Sequence, residues 1–136
     1  MSSLEAKLQA GTKEFQKIQT EYGKAVEHRQ RLDAQKSESE AVKKEFASLT
    51  PSNTIYKQVG PVLLKQDQSE AKANVEKRLE FIAGEITRVE ASLQDLDTKM
   101  ESKKMELVHL QTQIQQKRET EQQALGGAPA GVKAAV

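Results

Sequence analysis

The chain has 136 residues, no cysteine, and a formal net charge of +1 from 21 basic and 20 acidic side chains. That length fits one ordinary domain, disulfide scaffolds and thiolate metal sites are excluded, and no apolar run nears the roughly 20 residues of a membrane span. Leu, Ile, Val and Phe supply only 29 residues, thin for a globular core, whereas Ala, Glu, Lys, Leu and Arg supply 64, the composition of long helices and coiled coils.

The opening MSSLEAKLQAG lacks a signal-peptide core. Ser2 followed by Glu5 has capping-box spacing, and the first proline is Pro51, so a helix over residues 2–49 is predicted. Leu4, Leu8, Gly11, Phe15, Ile18, Tyr22, Ala25, Arg29 and Leu32 alternate in steps of four and three. That spacing is the seam of a left-handed supercoil. After Leu32 the pattern slips, and Val42, Phe46 and Leu49 resume one residue out of register, which changes the winding without ending the helix. Gly11, Ala25 and Arg29 make this seam loose, so it requires a partner. Gly11 in particular is expected to leave a gap.

The central segment TPSNTIYKQVGPVLLKQDQ is too long for a plain helix–helix connection, which needs about 2–8 residues. Apolar and β-branched residues flank Gly60-Pro61, and Gly60 can take the positive φ of a two-residue hairpin turn while Pro61 fits the negative φ that follows. A β-hairpin over residues 54–66 is the expectation; an irregular loop is the competing one. Alternation sends Ile55 and Val59 to one face and Tyr56 to the other. A lone two-stranded hairpin is marginal in water and leaves both edges unpaired. The chain offers no further strands, which implies pairing between molecules.

Asp67 followed by Glu70 repeats the capping-box spacing and opens a second helix, over residues 67–125. Val75, Leu79, Ile82, Ile86, Val89, Leu93, Leu96, Met100, Lys103, Leu107, Leu110 and Ile114 keep the four-three rhythm, and only Lys103 among these twelve is not apolar. A stripe of this length points to a coiled coil rather than a helix lying on a globule. Gly126 and Gly127 read as its end, with residues 126–136 as a flexible tail.

The fold class is therefore mainly α: a long antiparallel two-helix coiled coil with one β-hairpin between the helices. Matching the apolar spans sets Leu49 opposite Val75, Leu32 opposite Leu93 and Phe15 opposite Leu110, an arm on the order of 60–70 Å long at 1.5 Å per residue.

Helix, single hairpin and helix, joined by Ile55-Tyr56-Lys57, Val59-Gly60-Pro61-Val62-Leu63 and Lys65-Gln66-Asp67 within IYKQVGPVLLKQDQSEAKANVEKRLEFIAGEI, resemble the β class of prefoldin subunits in its eukaryotic form. The resemblance runs from Leu4 to Gln116, and the hairpin-to-helix junction carries it. It implies a cytoplasmic, ATP-independent co-chaperone of two α-class and four β-class subunits, so this chain would meet two α-class and three further β-class partners. Their hairpins would join an intersubunit β-barrel. The arm tips would hold unfolded polypeptides, notably actin and tubulin, and hand them to the cytosolic group II chaperonin.

Client binding requires apolar surface that is accessible at the arm's far end. Leu4, Leu8, Phe15, Leu107, Leu110 and Ile114 on the seam, with Met105 and Val108 beside it, are the candidates, and Met adapts to varied partners. Ordinary seam packing is the alternative for Phe15, Ile18, Leu107 and Leu110. For the subunit interface the candidates are Ile55, Tyr56, Val59, Gly60, Pro61, Val62, Leu63 and Leu64, with Phe81 off the stripe beside Ile82. His28 and His109 lack acidic neighbours at a ligand or acid–base spacing, and no phosphate loop or GxSxG or HExxH motif occurs. Neither enzyme chemistry nor a metal or cofactor is expected, and Lys43-Lys44 and Lys103-Lys104 are too scattered for nucleic acid. A coiled-coil tether without chaperone activity is the alternative function.

Overall fold

The computed structural model describes residues 3–135, with side chains described as far as Leu125. Helix α1 spans Ser3–Ala47, strand β1 Ile55–Val59, strand β2 Val62–Gln66, and helix α2 Gln68–Ala135. The expected capping residue Ser2 lies outside the described residues.

α1 stops two residues before its expected end. The amides of Ser48 and Leu49 turn back to the carbonyls of Glu45 (3.1 Å) and Phe46 (3.3 Å), tightening the last turn, and the Ser48 hydroxyl donates to the Glu45 carbonyl at 2.8 Å. Thr50 then opens a β-turn with Pro51 at its second position, closed by the Asn53 amide donating to the Thr50 carbonyl at 3.0 Å. Gln68 ties this connection to the start of α2, its Nε2 donating to the carbonyls of Thr50 at 2.9 Å and Asn53 at 2.7 Å.

The hairpin is antiparallel, with Val59 opposite Val62 and Ile55 opposite Gln66. Gly60 stands at φ +59, which an L side chain adopts at a cost of about 1–2 kcal/mol. With Pro61 confined to negative φ, a type II′ turn results. Asp67 caps α2: the Glu70 amide donates to its Oδ2 at 3.2 Å, and the first helical bond runs from the Ala71 amide to the Asp67 carbonyl. At the other end α2 continues through Gly126 and Gly127 to Ala135, where a flexible tail was expected.

The chain forms two units: a hairpin unit, Gly23–Gln94, and a terminal unit, Met1–Tyr22 with Asp95–Val136. In the hairpin unit Leu32, Ile82 and Val89 make the buried centre, with Ile86 and Leu93 packed against it. Arg29 pairs with Glu90 at 2.8 Å and Lys43 with Glu76 at 3.6 Å between its helices. In the terminal unit Leu96, Leu110 and Ile114 are buried. Gly11 is buried too, and a Cβ placed on it would lie 2.8 Å from Leu107 Cδ2. The expected gap at Gly11 is thus filled by Leu107.

This register differs from the one read off the apolar pattern. Phe15 opposite Leu110 would put Gly11 level with Ile114, about one heptad from the Leu107 it meets. A one-heptad shift leaves every seam position facing another seam position, so the pattern is degenerate. The anchor that selected the wrong alternative, Leu49 opposite Val75, failed because Leu49 lies beyond the end of α1. Carried along the helices, the observed register levels Leu8 with Leu110 and Leu4 with Ile114.

Candidate functional site

Two surfaces carry the residues singled out in the sequence. In the hairpin unit, the strand register puts Ile55, Val59, Val62 and Leu64 on one face of the ribbon and Tyr56 and Leu63 on the other. Ile55 is half-buried, whereas Tyr56, Val59, Val62, Leu63 and Leu64 are all exposed, Leu63 at 64%. Water on both faces of so apolar a ribbon is costly, at roughly 25 cal/mol per Å². Phe81 is likewise 64% exposed while its neighbour Ile82 is 2% exposed, which follows from their places off and on the seam.

The backbone adds a second reason for this ribbon to seek partners. A two-residue turn makes Val59 and Val62 a hydrogen-bonded pair, and the alternation of an antiparallel ladder then turns the N–H and C=O groups of Tyr56, Gln58, Leu63 and Lys65 outward. The sheet contains two strands only, so both edges are open to a further strand.

In the terminal unit the apolar candidates separate by burial. Leu110 and Ile114 are buried, Leu4, Leu8, Phe15 and Leu107 are half-buried, and Met105 and Val108 lie exposed on α2. Met105 and Val108, three residues apart, share one helix face. Leu125, which no sequence pattern had distinguished, is 74% exposed. Lys103 was visible in the sequence as the one charged member of the α2 stripe, but its role was not. Its side chain is only 17% exposed, and its Nζ donates to Glu14 Oε2 at 2.6 Å and to Glu106 Oε2 at 3.0 Å. The hydrogen bond and charge of Lys103 hold the Glu14 carboxyl below its ordinary pKa, and the two carboxylates, Glu14 first, raise that of Lys103. Asp67 at the hairpin junction is lowered as well, by the hydrogen bonds from Ser69 and from the Glu70 amide.

Among the described residues no group of three or more His, Asp or Glu side chains is arranged to hold a metal, and no helix is long and apolar enough to cross a membrane. What the geometry offers is unsatisfied strand edges and exposed apolar side chains on helices, which are means of binding polypeptide.

The family described as Prefoldin subunit matches residues 9–117. The chain belongs to the prefoldin subunit family. Among curated relatives, it is 40% identical to prefoldin subunit 6 of Homo sapiens over 126 residues, which is 93% of this chain and 95% of that one. With prefoldin subunit 6 of Arabidopsis thaliana it shares 39% over 112 residues, 82% of this chain and 87% of that one. Among solved structures, the prefoldin beta subunit of Thermococcus strain KS-1 superimposes with a TM-score of 0.69 at 20% identity, over 79% of this chain and 94% of that one. That likeness shows the fold: two long helices joined by an antiparallel hairpin. Prefoldin membership supports a co-chaperone role for the chain, and it agrees with a site made of strand edges and apolar helix faces.

Proposed function

We propose that this chain is a subunit of a six-chain prefoldin co-chaperone that captures unfolded polypeptides without nucleotide. Its hairpin pairs with those of two α-class and three further β-class subunits in an intersubunit β-barrel, using Ile55, Tyr56, Val59, Val62, Leu63 and Leu64 around the Gly60-Pro61 turn, with Phe81 as a flanking contact. The observation that carries the reading is the open-edged ribbon, apolar on both faces and exposed to solvent.

Clients, with actin and tubulin foremost, are held by the terminal unit. Met105 and Val108 offer surface directly; Leu4, Leu8, Phe15, Leu107, Leu110 and Ile114 contribute when the helix ends part. The client passes to the group II chaperonin in the cytoplasm. No nucleic acid, membrane or cofactor takes part.

The test is suppression of aggregation of guanidinium-unfolded actin by the complex assembled with its partner subunits, in the absence of nucleotide. Removing Met1–Phe15 together with Val108–Val136 should leave assembly intact and abolish protection. A trimmed complex that protects equally well would refute capture by the terminal unit, whereas a full-length complex that assembles and gives no protection would leave the tether as the function.

A further inference from the structure

The α2 seam has one charged rung, at Lys103. The structure makes that rung a three-membered ion cluster, with the Lys103 side chain 17% exposed over its whole length and its two carboxylate partners, Glu14 and Glu106, 62% and 56% exposed. Such a rung is weaker than the hydrophobic one it replaces. The methylene stem fills a seam position less well than a branched apolar side chain, the exposed carboxylates hold the ammonium in a solvent-screened pairing, and the long side chain loses rotamer freedom. Replacing covered ionic groups by well-packed apolar ones is often neutral or stabilising.

The seam beyond this rung, toward both chain termini, has little to compensate. Gly11 brings no side chain to it, and Leu107 occupies the space. The remaining apolar levels are those of Leu8 with Leu110 and Leu4 with Ile114. The ion pair of Arg118 with Glu5 there is long at 3.8 Å and exposed, a class of contact that contributes little.

We propose that Lys103 is a positioning residue that keeps the outermost levels of the terminal unit only marginally closed, so that Leu8, Leu107, Leu110 and Ile114 can be presented to a non-native polypeptide. The inference deepens the client-binding reading and rests on it. Lys103 touches no client. It sets how often the seam beyond it opens, as a leucine at the same position would not.

The experiment uses Lys103→Leu, with Lys103→Met as a second variant of different shape, each in the fully assembled complex. Amide hydrogen exchange without client reports local opening, and aggregation of guanidinium-unfolded actin reports holding. Both variants should raise protection of amides over residues 4–15 and 107–114 by about tenfold, an effect of the size seen when covered ions give way to hydrophobic side chains, with protection in the hairpin unit unchanged. Holding of actin should fall in step. Unchanged or reduced protection in both variants would overturn the role of Lys103 while leaving the client-binding reading intact. Raised protection with undiminished holding would overturn the coupling of opening to capture, and with it the claim that these seam residues meet the client.

Discussion

At the scale of single residues, three positions show how local chemistry decides what the seam pattern leaves open. Gly11 looked like a defect in the stripe and is a point of close approach. Gly11→Ala places a methyl 2.8 Å from Leu107 Cδ2, the mobile end of a side chain, and gains about 1 kcal/mol of helix propensity. The two effects nearly cancel, so thermal unfolding should move little. Gly11→Val adds a branched side chain that Leu107 cannot yield to, and should cost about 1–3 kcal/mol. Asp67 carries the acid sensitivity of the hairpin junction. Its carboxyl is depressed by the bonds it accepts from Ser69 and Glu70, so its stabilisation is complete above the ordinary carboxylate pKa and is lost as pH falls through the lowered one. Asp67→Asn keeps a good cap and should show a flatter loss of stability on acidification than the native chain, measured by thermal midpoints from neutral to about pH 3. An identical acid profile would contradict this role. Lys103 and Glu14 shift away from neutrality in opposite directions, so their cluster stays charged across the physiological range and its opening is not a pH switch.

At the scale of elements, the hairpin and the two helices were legible and their mutual register was not. Gly60-Pro61 announced a two-residue turn because its two φ requirements are opposite in sign, and the structure bears that out with Gly60 at φ +59. The long stripe in α2 and the Asp67 cap announced a helix beginning beside β2. Register escaped because a heptad pattern is unchanged by a shift of seven, and only contacts of particular residues, such as Gly11 with Leu107, break the tie. A prediction belongs to β1. Gln58 turns its amide outward from the hairpin's own ladder, so Gln58→Pro removes a donor from the open edge alone. The variant chain should retain its helix content by circular dichroism yet fail to enter a six-chain particle. Normal incorporation would mean that the β1 edge makes no intersubunit ladder.

At the scale of the whole molecule, composition and topology lead to the same conclusion. Near-zero net charge gives no long-range attraction to phosphate or to a charged membrane, and few apolar residues are available beyond those of the helix seams. The exposed large apolar side chains are those of the ribbon, Phe81, Met105, Val108 and Leu125, with Val42 on α1. A chain distributed in this way is incomplete by itself, since the ribbon satisfies neither its edges nor its faces within one copy. The residues proposed to meet a client divide by burial: Met105 and Val108 stand off the stripe in the sequence and are exposed, whereas Leu110 and Ile114 are buried seam residues that serve packing first. The most direct test of the account is the native mass of the particle this chain forms with α-class and β-class partners. A six-chain mass with the chain present as a β-class member is predicted; a chain that remains a well-folded monomer beside those partners would contradict it.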